Sequence, residues 1–179
     1  MRYTQTCHKV ANVVALAGGH AASSALNGIR HLNPCHEALF NLDTTLNTPT
    51  NLLDTWLAQE QEIRTRLDAG AGPGVARPDQ VAGKTGLEVM QGLLSGELPY
   101  ATIAQTLDFV LIEVSPGQAV FQGAPGLQHM NPLGTVHGGW FATLLDSALG
   151  CAVHTMMPPG RGYTTADLSV KLVKALTPK

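Results

Sequence analysis

The stretch HMNPLGTVHGGWFATLLDSALGCAV, residues 129–153, constrains the fold more than any other part of this chain. After two glycines it becomes an apolar helix of about four turns. A helix with so little polar surface has to be buried against other elements. Yet Asp146 stands in its middle, between Leu145 and Ser147. An ionised carboxylate on an apolar face costs several kcal/mol unless it is paired or lines a hydrated site. Its helical neighbours three and four positions away are Ala142, Thr143, Leu149 and Gly150, and none is a cation. Asp146 therefore either pairs with something distant in sequence or faces a cavity, where it suits a general base or a nucleophile.

The lead into this helix is also unusual. Asn131-Pro132 marks a turn, and Gly134 loosens the backbone. Gly138 and Gly139 lie where the helix begins, so another group can approach the chain without meeting a Cβ. The first amides of a helix lack an intrahelical acceptor and carry partial positive charge. The Gly138 amide is thus a candidate donor to a carbonyl oxygen that becomes negative, with His137 and Asn131 placed to orient that oxygen. Taken alone, His137 also reads as a capping or loop histidine. His129 and His154 lack such a setting and read as structural. Gly138 and Asp146 are eight residues apart, about 12 Å along one helix axis. If both act on one substrate, Asp146 must come from a second copy of the helix, which predicts a dimer with two shared sites.

The remaining chain supplies the surroundings. In NLLDTWLAQEQEIRTRLDAG, residues 51–70, Leu53, Trp56, Leu57, Glu60, Ile63 and Leu67 recur at helical steps, and Gly70 closes the run. AGPGVARPDQ then punctuates. TGLEVMQGLLSGELPY predicts a second helix, with Leu87, Met90, Leu93 and Leu94 on one face. FVLIEVSPGQAVFQGAP, residues 109–125, reads as two strands joined at Pro116-Gly117. MPPGRG ends the apolar helix, and YTTADLSVKLVKALTP predicts a long strand. Leu168, Val170 and Leu172 alternate there with Ser169, Lys171 and Val173. Three strands make a small sheet for so apolar a helix.

Composition excludes several classes. Charged residues are only 13% and the net charge is −2, without the basic stripe of a nucleic-acid binder. No apolar run reaches the roughly 18 residues of a membrane-spanning helix. The three cysteines, Cys7, Cys35 and Cys151, form no disulfide framework, and a reducing, cytoplasmic setting is expected. The opening MRYTQTCHKVANVVALAGGHAAS has a basic lead and an apolar stretch, but glycines break it, which argues against a secretion signal. Residues 1–50 show no period and read as a poorly ordered extension. Cys7, His8, His31, Cys35 and His36 cluster there in sequence, but without the paired spacing of a zinc site.

NPLGTVHGGWFATLLDSALGCAV followed by GYTTADLSVKLVKALTP resembles the hotdog-fold acyl-CoA thioesterases of the phenylacetate-degradation (PaaI-like) type. The resemblance covers residues 84–179, with residues 51–83 as an amphipathic helix and linker before it. It implies an α+β hotdog fold, a long central helix wrapped by a curved antiparallel sheet, paired into a homodimer or a dimer of dimers. It implies hydrolysis of acyl-CoA thioesters without metal or cofactor, CoA being the handle of the substrate. Gly138 would polarise the thioester carbonyl. Asp146 of the other subunit would be the nucleophile or would activate water. Asn131 and His137 would position the carbonyl or the water. Thr165 is the closest match to a hydroxyl that helps on the following strand, with Thr164 as the alternative. The family sheet continues for about three more strands after VKALTP, where this chain stops, so an incomplete hotdog domain with its last strands missing is expected. The acyl group stays open between an arylacetyl and a medium chain, with Trp140, Phe141, Met156 and Met157 as candidate pocket residues. Two other readings remain: a hotdog dehydratase of hydroxyacyl thioesters, which the His-Gly-Gly start fits poorly, and a non-catalytic acyl-CoA-binding module.

Overall fold

A computed structural model describes residues 11–16 and 49–177. Strand β1 (Ala11–Leu16) comes first, followed after a gap by helix α1 (Pro49–Ala69). A short helix α2 (Pro78–Val81) leads to α3 (Gly86–Ser95) and α4 (Thr102–Leu107). The hairpin strands β2 (Phe109–Ser115) and β3 (Gln118–Gly123) precede the long helix α5 (Gly138–His154).

Local chemistry sets these boundaries. Thr85 caps α3: its hydroxyl accepts from the Glu88 amide at 3.2 Å while the Glu88 carboxylate accepts from the Thr85 amide at 2.6 Å. Those bonds hold the Glu88 carboxyl below its ordinary value. Gly96 closes α3 in the left-handed conformation, φ 80°, which a residue with a Cβ resists. Asp108 ends α4 with φ 53°. Its carboxylate meets Arg64 at 2.8 Å, and Arg64 also meets Glu60 at 2.8 Å, tying α1 to the start of β2.

The strands form one antiparallel sheet in the order β1-β3-β2. The sheet is covered on both faces, and the side-chain alternation divides between the two. Phe109, Leu111, Ala119 and Phe121 pack with Trp140, Leu144 and Ala148 of α5. Val110, Ile112 and Val120 pack with Ile63 and Leu67 of α1. A bulge between Leu111 and Glu113 breaks the register of β2 against β3. Gln122 is fully buried on the α1 side, where its amide nitrogen reaches Gln59 at 3.4 Å.

The hairpin and the helices expected from sequence lie close to where their patterns place them. The third strand does not. Residues 163–177 form no strand; they lie against α5, meeting it at Gly150, Asp146 and Gly138. The third lane of the sheet is filled by β1, which pairs with β3 from Ala11 opposite Gly123 to Leu16 opposite Gln118. The alternation of residues 163–177 is real, but an extended segment becomes a strand only beside a free strand edge. The place beside β3 is already taken by β1, and among the described residues the segment lies against α5 and pairs with neither β1 nor β2. A long apolar helix on a small antiparallel sheet corresponds to part of a hotdog arrangement.

Thr155 joins the hairpin to the end of α5. Its buried hydroxyl accepts from the Gly117 amide at 2.7 Å and donates to the Ala152 carbonyl at 2.7 Å. The other end of α5 is anchored by Trp140, which is 2% exposed and donates its indole N–H to the Leu107 carbonyl at 2.7 Å.

Candidate active site

The loop before α5 is built around Asn131. Its side-chain oxygen accepts from the amides of Leu133 at 2.9 Å and Thr135 at 3.3 Å, and its nitrogen donates to the Thr135 hydroxyl at 2.6 Å. The Asn-Pro turn is thereby closed on itself. Asn131 serves here as the organiser of the loop, with its side-chain amide directed into it.

His137 is the N-cap of α5: its Nδ1 accepts from the Gly139 amide at 2.9 Å. That bond uses one of the free amides at the helix start and leaves the ring exposed. The Gly138 amide has no acceptor among the described residues. It is therefore a free donor at the positive end of a helix dipole. Beside it lies Leu172: a Cβ added at Gly138 would come within 2.7 Å of the Leu172 Cδ1.

Asp146 is half-buried two turns further along. Its Oδ1 accepts a hydrogen bond from the Thr165 hydroxyl at 2.8 Å. The extended segment supplies this partner, nineteen residues on in sequence. Thr164 makes no such bond. The groups facing Asp146 from its own helix and from the segment include Cys151 and Tyr163. Burial pushes the Cys151 thiol up to about 12, and the Asp146 charge adds to the effect. Burial, with the Cys151 and Asp146 charges, pushes the Tyr163 phenol up to about 12. Both stay neutral near pH 7, which leaves Cys151 without the thiolate a nucleophile needs. His154, one turn after Gly150, is held below its ordinary value by burial. Its ring lies 5.9 Å from that of Tyr163.

The structure thus brings Thr165 to Asp146, and it places His137 and Gly138 side by side at the helix start, with Asn131 closing the loop before them. It does not bring those two groups together within one chain. They stand about 12 Å apart on the same helix. Among the candidate pocket residues, Trp140 belongs to the core and packs edge-on against Phe141 with ring centroids 5.2 Å apart, while Met156 is largely exposed. Sequence reasoning missed the contact of the Tyr163 phenol with Gly150. The signal was a glycine inside a helix, which weakens the helix unless something needs the space. Cys7, His8, His31, Cys35 and His36 lie outside the described residues. Among the described residues no cluster of three or more His, Cys, Asp or Glu side chains is placed to hold a metal ion. No helix among them is long and apolar enough to cross a membrane.

Residues 133–179 match the family model of the thioesterase superfamily. The matched segment contains Gly138, Asp146 and Thr165, and points to thioester hydrolysis as the class of chemistry. No curated protein and no solved structure matches the chain.

Proposed function

We propose that this chain hydrolyses acyl-CoA thioesters to the free acid and CoA, with a site shared between two copies. The observation that carries the reading is the 2.8 Å bond from Thr165 to Asp146, which ties down one oxygen of a half-buried carboxylate on an apolar helix. The second oxygen is left to take a proton. Water attacks the thioester carbon and gives its proton to Asp146. The carbonyl oxygen, now negative, accepts from the Gly138 amide of the second copy. When the C–S bond breaks, the departing sulfur takes the proton back from Asp146, and acid and thiol are released. Asn131 and His137 act through the loop and the cap, by holding the Gly138 amide in place. The substrate carries an arylacetyl or medium-length acyl group.

The supporting arguments are the match of residues 133–179 to the thioesterase superfamily and the separation of amide and carboxylate along α5. The experiment is release of free thiol from phenylacetyl-CoA and hexanoyl-CoA, with light scattering to give the solution mass. Asp146→Asn should lower kcat by at least about a hundredfold, in the range of general-base losses, while the mass stays that of a dimer or tetramer. An Asp146→Asn chain as fast as its parent would remove Asp146 from the reaction. A fully active monomer would remove the shared site.

A further inference from the structure

Nothing in the chemistry above requires Gly150, yet it sits inside α5, where alanine would favour the helix. Gly150 is buried, and the group that buries this position is the Tyr163 phenol. A Cβ at residue 150 would stand 2.5 Å from the Tyr163 hydroxyl oxygen and 3.3 and 3.4 Å from two of its ring carbons, with nothing else among its nearest neighbours. The phenol therefore rests directly on the helix backbone, in a notch that only glycine leaves open. The Tyr163 ring also lies 5.9 Å from that of His154. Tyr163 is two residues before Thr165, and Gly150 is one helical turn after Asp146. The phenol on Gly150 and the hydroxyl on Asp146 are thus neighbouring contacts of the segment with one face of the helix.

Few other constraints act on this stretch. Among the described residues, the backbone between residues 163 and 177 makes a single hydrogen bond outside the segment, from the Val136 amide to the Leu176 carbonyl at 2.9 Å. That bond lies eleven residues beyond Thr165 and leaves the register at Asp146 open. The residues around Thr165 are exposed, so burial does not fix them either.

We infer that Tyr163, seated in the Gly150 notch, is a positioning residue that sets the register of the segment so that the Thr165 hydroxyl meets Asp146. This rests on the thioesterase reading for its consequence in catalysis, but the register itself is independent of that reading. Tyr163 touches neither the carbonyl nor the water. It acts through Thr165.

The test uses the full chain and five variants. Gly150→Ala keeps or improves the helix but displaces the phenol, because the three atoms nearest the added methyl all belong to Tyr163. It should lower kcat with hexanoyl-CoA about tenfold, the size of a lost hydrogen bond to a charged group, with KM within about twofold. Thr165→Val should give the same split. The double variant Gly150→Ala with Tyr163→Phe removes the clashing oxygen and should recover kcat to within about threefold of the parent. Tyr163→Ala, which empties the notch, should lower kcat as Gly150→Ala does. A second readout needs no turnover: the Thr165 methyl resonance in a carbon–proton NMR spectrum. It should move in Gly150→Ala to where Asp146→Asn places it, and return in the double variant. Gly150→Ala with parental kcat and an unmoved Thr165 methyl overturns the inference, as does a double variant no better than Gly150→Ala. If the parent releases no thiol but the methyl follows the expected pattern, the register stands and the thioesterase reading fails.

Discussion

The β2–β3 hairpin and the segment at residues 163–177 both lie against α5, and they are held there by different forces. The hairpin supplies its own partner: each strand satisfies the other across a two-residue turn, and β1 completes the second edge of β3. Its inward side chains Phe109 and Phe121 meet edge to face, with ring centroids 5.9 Å apart, inside the core under α5. Among the described residues the segment has no strand beside it. It is held by contacts to the helix: a phenol on Gly150, a hydroxyl on Asp146, and the Leu172 methyl at Gly138. Burial holds the first region. In the second, individual polar and close-packed contacts do so, and most side chains remain exposed. The scaffold is thus stabilised on one side of α5, and the candidate chemistry sits on the other, where stability has less to lose.

That contrast can be broken by mutation. Phe121→Ala removes a side chain that is 5% exposed and leaves a cavity beneath α5. It should cost about 3–5 kcal/mol, read from the midpoint of chemical denaturation. Leu172→Ala on the segment removes a side chain that is 53% exposed. It should cost about 1 kcal/mol or less. Equal losses at the two positions would mean that the segment is part of the core. The smallest effect concerns pH. Burial holds the folded His154 imidazole below 6.5. As pH falls through that ordinary value, the unfolded chain takes up the proton before the folded one does, so stability falls with pH. Above it the contribution is intact, and once the folded ring protonates too, the loss levels off. Denaturation midpoints between about pH 7.5 and 5.5 should fall more for the parent than for His154→Gln. Identical pH dependence in the two chains would place the His154 ring in solvent.

The same contrast explains what could be read from the sequence. The elements with local signals were legible. The face of Leu87, Met90, Leu93 and Leu94 announces α3, Pro116-Gly117 announces the hairpin, and Gly138-Gly139 opens α5. Asp146 was visible as a carboxylate out of place. The partner of β3 was not visible, because pairing Ala11 with Gly123 depends on two segments meeting across most of the chain, and no local pattern encodes that. Residues 163–177 carried a strand pattern without a strand neighbour, and periodicity reports side-chain facing, not the presence of an edge. The capping bond of His137 follows from the helix start. The direction of the Asn131 amide depends on how the whole loop closes, which residue types alone do not specify.

The Thr155 hydroxyl has a consequence for the order of assembly. Its donor partner is an amide at the hairpin turn, and its acceptor is a carbonyl that takes its position only when the last turn of α5 is wound. Neither half-formed element can satisfy it. It therefore works as a coincidence detector, closing only when the turn and the helix end are finished at the same time and in contact.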